Sequence, residues 1–215
     1  MTDTWSAPWC DPGVPELQGH QAAIDFENWK AGAPHGAFDL FKDVVQAIPI
    51  AHIPEDNQAF LEIGSGTGYG SAVLKHLRPT WDYTGLEISR AMIDYATQHW
   101  PAKYIQGDMN ELPCADGSFD VVMLAGVIQH AADWRRVVDE AARVSSRWVI
   151  PHRLHATTHA TNESVNVAYG VAHSIRENCE SEFLSYCESV GLTLVHPVRR
   201  GLPIAFQASY LMEKR

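Results

Sequence analysis

From Ala59 onward the chain alternates short, β-rich apolar runs with longer amphipathic stretches. AFLEIG reads as a strand, and GYGSAVLKHLRP as a helix stopped by Pro79. DYTGLEIS is a second strand, after which Ser89 caps the helix SRAMIDYATQHW, ending at Pro101. AKYIQGD is a third, short strand. FDVVMLAG is apolar almost throughout, as a parallel strand covered on both faces requires. Asp133 caps DWRRVVDEAARVS, where Val137, Val138, Ala141 and Val144 keep helical spacing, and SRWVIPH is the next strand. This alternation predicts a parallel sheet with helices on both sides.

Beyond residue 177 the pattern changes. CESEFLSYCESVG is a helix closed by Gly191, and LTLVHPVRR and IAFQASYLMEKR are two strands joined by GLP. So short a connection makes them antiparallel, because a parallel crossover needs a dozen or more residues. The sheet is therefore mixed, with a hairpin at one edge. The first fifty-odd residues are rich in Trp, Pro and Gly, with a helix near FDLFKDVVQAI. No internal repeat or second-domain boundary is visible.

A chain of 215 residues, 46% hydrophobic and 20% charged, fits one ordinary globular domain. Lys+Arg number 16 against Asp+Glu 26, a formal net charge of −10 that would repel a polyphosphate or an anionic bilayer. Nucleic acid and membrane are thus disfavoured as partners. Cys10, Cys114, Cys179 and Cys187 form no CxxC pair and read as reduced, mostly buried thiols. MTDTWSAPWC lacks the regions of a signal peptide, and no apolar run approaches the roughly 20 residues of a membrane span. The expectation is a soluble, cytoplasmic protein.

The stretch FLEIGSGTGYGS carries the chemistry. Glycines at a strand-to-helix turn let a ligand approach the backbone beside free helical N–H groups. The dinucleotide fingerprint is GxGxxG, but here the glycines are Gly64, Gly66, Gly68 and Gly70, with Tyr69 in the third fingerprint position. No GK[ST] follows, which excludes a Walker A loop. E-x-G-x-G-x-G after a first strand, then Glu87 closing the second strand, GDMNELPCADGSFDVVM and LAGVIQHAAD resemble, in order, the motifs of the Rossmann-like S-adenosylmethionine-dependent methyltransferases, small-molecule type 11-like branch. The resemblance spans roughly Phe60 to Arg147 in motif. It implies a three-layer α/β sandwich with a seven-stranded, mostly parallel sheet and a C-terminal antiparallel hairpin.

It further implies S-adenosylmethionine as cofactor, leaving as S-adenosylhomocysteine, and a cofactor site of Glu62, Gly64, Ser65, Gly66, Thr67, Gly68, Glu87, Ile88, Met92, Asp108, Met109 and Ala125. Glu87 would accept the ribose hydroxyls, Asp108 the adenine amino group, and Met109 would pack on the ring. Met92 falls where a helix leans over the adenine, although Met at helical spacing is more often core. The organisation expected is one methyltransferase domain over 1–215: an N-terminal helical or lid region (1–55), a cofactor-binding core (59–150), a variable substrate-facing segment (151–177), and a C-terminal helix and hairpin (178–215). Trp5, Trp9 and Trp29 would either cover the core or belong to the lid.

Methyl transfer from a sulfonium needs a general base only when the nucleophile is protonated at neutral pH. His130 and His152, after the fourth and fifth strands, are the candidates, although in this family the histidine at the His130 position is more often structural, holding its loop. His152, His155 and His159 stand at i, i+3 and i+7, one face if helical. No Cys joins them, and Gln129 replaces a carboxylate that metal-assisted relatives carry, so no metal is expected. AGVI replaces the [DNS]PP[YFW] motif of base-nitrogen methyltransferases, which with the acidic charge favours a small-molecule O or N nucleophile. Two rivals are a non-catalytic cofactor-binding protein on the same fold and an NAD-dependent oxidoreductase, the latter opposed by the glycine register, Asp108 and the hairpin. The sequence leaves the oligomeric state open.

Overall fold

A computed structural model of the chain describes residues 10–11, 13–48, 57–168, 170–202 and 204–215. Trp5 and Trp9 lie outside the described residues. The alternating segments become β1 (Ala59–Ile63), α3 (Tyr69–Leu77), β2 (Asp82–Glu87), α4 (Arg90–His99), β3 (Lys103–Gln106), β4 (Phe119–Ala125), α5 (Trp134–Val144) and β5 (Ser145–His152). Both expected caps form: Ser89 Oγ accepts Met92 N–H at 3.4 Å, and Asp133 accepts Arg135 and Arg136 N–H at 3.2 and 3.3 Å. Ahead of them lie α1 (Val14–Lys30) and α2 (Gly36–Gln46).

The first five strands order as β3-β2-β1-β4-β5, all parallel, with α3, α4 and α5 making the crossovers after β1, β2 and β4 and the non-helical residues 107–118 making the one after β3. β9 (Leu192–Gly201) and β10 (Ala205–Lys214) form the antiparallel hairpin, preceded by α6 (Glu180–Ser189). β10 pairs β5 along one side and carries β9 as the edge strand on the other. Period-two alternation along β4 sends Val122 and Leu124 into one apolar layer and Val121 and Met123 into the other. The first layer packs against α5 and α6, the second against α1, α2 and α3. The mixed three-layer sandwich is thus as expected.

The strand count is not: among the described residues the sheet has ten strands rather than seven. At Arg153 (φ 55) the chain turns out of β5 and continues as β6 (Leu154–Thr157) along β10, and β7 (Asn162–Ala168) and β8 (Val171–Cys179) pair antiparallel beside it. β7 is exposed along Asn162–Val167, so it has no buried stripe to reveal it. β8 buries His173, Arg176 and Asn178, polar residues that give no apolar strand pattern. Because His152 and His155 lie on strands and His159 on an exposed bend, the three histidines do not share a helical face. The cysteine reading also needs correction. Only Cys187 is buried, Cys10 is exposed, and no disulfide occurs among the described residues.

Candidate functional site

The carboxyl ends of β1, β2, β4 and β5 align, and the order reverses between β1 and β4, which opens a crevice there. The glycine turn forms its floor. Gly64 has φ 78, and an added Cβ would come 2.0 Å from Val127 Cγ1, so only glycine fits. Behind the turn, the carboxylate of Glu62 lies so close to Gly70 that a Cβ there would sit 2.2 Å from Oε2. Glu62 Oε2 accepts the Tyr83 hydroxyl, and burial pushes the Glu62 carboxyl up to about 7 despite that bond.

Glu87 closes β2 and organises the turn. Its Oε2 accepts Gly66 N–H at 2.9 Å, and its Oε1 accepts the N–H groups of Ile88 and Ser89 at 2.9 and 3.0 Å. Burial raises its pKa, and these three bonds oppose the rise. After β3, Asp108 Oδ1 accepts both the backbone and side-chain N–H groups of Asn110 at 2.8 Å. Glu62, Gly64, Gly66, Glu87, Asp108 and Asn110 line one cavity of about 470 Å³, within the usual range for small-molecule sites. Ser65 also lines it, its Oγ buried beside Gly85 and without a hydrogen-bond partner among the described residues.

The opposite wall comes from the turn after β4 and from β6, β7, β8 and β10. It carries Gln129, His130, Arg153, His155, Asn166, His173 and Gln207. His130 Nδ1 meets the Ser174 carbonyl oxygen at 3.1 Å. A carbonyl only accepts, so Nδ1 holds the proton and Nε2 carries the lone pair. Burial, followed by the neighbouring His173, His155 and Arg153, lowers the His130 pKa to about 4, so the ring is neutral at pH 7. His155 is likewise lowered, first by burial.

Of the expected cofactor residues, Glu62, Gly64, Ser65, Gly66, Glu87, Ile88, Met92, Asp108, Met109 and Ala125 line this cavity. Thr67 and Gly68 do not: Thr67 is fully buried, and Gly68 (φ 84) starts α3 against Tyr104 and Ala96. Met92 unites its two readings, being 2% exposed and on the cavity wall. His130 reaches the cavity and His152 does not. The His152 ring is buried against Phe41, with Nδ1 2.9 Å from Ser209 Oγ. Trp29 is buried against Phe26 and Phe38, its Nε1 donating to Asp39 at 3.0 Å. Sequence reasoning missed Gln18 on α1, whose Oε1 accepts Thr67 N–H at 3.2 Å and roofs the glycine turn. Pro15 at the helix start and the Pro15, Gly19, Ala22, Phe26, Trp29 spacing were its available signals. Among the described residues, no group of three or more His, Cys, Asp or Glu is arranged to hold a metal.

The sequence profile of one family, type 11, described as "Methyltransferase domain", matches residues 61–147. The demethylmenaquinone methyltransferase of Thermotoga maritima is 35% identical over 88 residues, 40% of this chain and 38% of that protein. The chain spans less than half the length of the curated relatives it matches. A methyltransferase structure from Methanosarcina mazei superposes with TM-score 0.61 at 16% identity, covering 77% of this chain and 97% of that one. Magnesium protoporphyrin IX methyltransferase from Synechocystis, solved with bound S-adenosylmethionine, superposes with TM-score 0.59 at 12% identity over 95% and 98%. Residues 61–147 thus match the type 11 methyltransferase domain model, and the chain carries the Rossmann-like fold seen in S-adenosylmethionine-dependent methyltransferases.

Proposed function

We infer that this protein transfers a methyl group from S-adenosylmethionine to an oxygen or nitrogen nucleophile of a small molecule, working as one domain in which residues 59–150 bind the cofactor and 151–177 face the acceptor. The observation that carries this reading is the convergence of the Gly64–Gly66 turn, Glu87 and Asp108 on a single cavity. The unpartnered Ser65 Oγ beside that turn is a polar group such a ligand would satisfy. The names of the Thermotoga and Synechocystis proteins, both acting on small molecules, support the substrate class.

When bound, the cofactor supplies a methyl on a sulfonium, and in-line displacement returns the C–S electron pair to sulfur. The protein's share is binding, alignment and exclusion of water. Glu87 accepts the ribose hydroxyls, Asp108 accepts the adenine amino group, and Met92 and Met109 pack on the ring. Gln18 and α1 cover the turn. His130, unprotonated at neutral pH with its lone pair on Nε2, takes the proton of a hydroxyl or ammonium acceptor. His152, outside the cavity, has no such access.

Calorimetric titration with S-adenosylmethionine, S-adenosylhomocysteine and NADH tests the reading. Both adenosyl ligands bind and NADH does not, and Glu87→Gln weakens them about tenfold or more, the scale of losing hydrogen bonds to a charged group. Binding of NADH alone, or unchanged affinity in Glu87→Gln, refutes it.

A further inference from the structure

Two buried polar atoms on the acceptor side lack partners among the described residues: Arg153 Nε and Gln129 Oε1. Both residues line the cavity, and both flank Gly126, where an added Cβ would lie 3.4 Å from Gln129 Nε2 and 3.9 Å from Arg153 Cβ. A buried polar atom without a partner costs about 1–3 kcal/mol. Neighbouring orphans, one donor and one acceptor on one cavity wall, match a ligand that carries the complementary pair.

Arg153 differs from most of the arginines of this acidic chain, Arg78 and Arg215 being the others outside an ion pair among the described residues. Eight arginines form ion pairs with Asp or Glu, whereas no carboxylate of the described residues pairs with Arg153. Of the cavity's own carboxylates, Glu62, Glu87 and Asp108 belong to the glycine-turn side. Asp25 is engaged by Gln21 at 2.8 Å and His35 at 3.4 Å. Around Arg153 the wall presents His130, His155, His173 and Gln207, none of them anionic. The position is also held against a backbone cost. Arg153 has φ 55, a left-handed conformation that a non-glycine residue keeps only where its surroundings fix it. Its N–H donates to Ser209 Oγ at 3.3 Å, the same hydroxyl that His152 Nδ1 meets. That kink diverts β5 into β6 and sets Arg153 at the wall.

We propose that the methyl acceptor is a small organic carboxylate, its anionic group held by Arg153 and a neighbouring O–H or N–H given to Gln129 Oε1; this substrate class rests on the methyltransferase reading above. The planar fork of a guanidinium matches a carboxylate bidentately. A phosphate ester is the poorer fit, because a dianion would meet four carboxylates in the same cavity.

The test is titration of the protein loaded with S-adenosylhomocysteine. The probes are matched carboxylates and primary amides: benzoate and benzamide, 4-hydroxybenzoate and 4-hydroxybenzamide, indole-3-acetate and indole-3-acetamide, with phenyl phosphate alongside. At least one carboxylate binds about tenfold or more tightly than its amide, the scale of a charge-assisted hydrogen-bonded pair. Arg153→Met abolishes that preference, Arg153→Lys keeps part of it, and both variants bind S-adenosylhomocysteine within about twofold of wild type. Equal binding of carboxylates and amides overturns the proposal. So does binding of no carboxylate, phenyl phosphate exceeding every carboxylate, or a preference that survives Arg153→Met. The wild-type comparison stands even if a variant fails to fold. Failure of S-adenosylhomocysteine to bind the wild-type protein sinks the methyltransferase reading itself, a separate outcome.

Discussion

Gly64→Ala isolates how the glycine turn is built. The new methyl would enter at φ 78 and stand 2.0 Å from Val127 Cγ1, where carbon atoms normally pack at about 3.5–4.0 Å. The left-handed backbone costs an L-residue about 1–2 kcal/mol, and overpacking adds about 1–3 kcal/mol. Alanine also removes freedom from the unfolded chain, which offsets about 0.4–1 kcal/mol. The net destabilisation expected is therefore about 1–4.5 kcal/mol. Urea unfolding followed by tryptophan fluorescence measures it as a lower midpoint at unchanged slope. The two components separate in a double-mutant cycle with Val127→Ala, which removes the clashing methyl. The pair should recover the overpacking part, a coupling of about 1–3 kcal/mol, and retain the backbone part. Additivity within about 0.5 kcal/mol would refute the packing argument, and a Gly64→Ala variant as stable as wild type would refute both parts.

The buried histidines set an acid limit on stability. With His130 held at about 4 against an ordinary 6.5, the folded state binds fewer protons, so this stability is present above pH 6.5 and is lost as pH falls toward 4. His130→Asn should reduce the loss between pH 7.5 and 5 by roughly 2 kcal/mol in urea titrations, and an unchanged loss would contradict its burial. Thiol labelling should discriminate along the chain. Cys187, buried with its thiol pushed up to about 12, resists iodoacetamide until urea unfolds the protein, whereas Cys179, lowered by hydrogen bonds from Ser181 and the backbone at the start of α6, reacts in the native state. Equal labelling of the two by peptide mass spectrometry would contradict this packing.

What could be read from the sequence was what local physics dictates. The strands β1 to β5 and their helices announce themselves through apolar periodicity and side-chain caps, because Ser89 and Asp133 bond within three residues of themselves. The added strands depend on partners far along the chain. Arg176 is buried in β8 only because Glu163 pairs with it at 2.7 Å and the Ala131 carbonyl accepts from it at 2.7 Å. The histidine assignment divided for a similar reason. His130 follows β4 into the cavity, but strand alternation puts His152 on the face opposite Arg153 and His155, which line the wall. Gln18 escaped notice because its role exists only once α1 lies over a turn distant in sequence.

The pairing of β10 imposes an order of assembly. It follows β5, β6 and β9 in sequence, and it bonds to all three. On a ribosome, the parallel sheet from β1 to β5 and the glycine turn emerge first, with the strand partners of β1 to β4 already outside the exit tunnel. The strands β6 to β8, which wall the other side of the cavity, have no seam to that sheet until residues 205–214 arrive. A nascent chain stalled before them would hold the glycine-turn half of the cavity without the half that carries His155, His173 and Gln207.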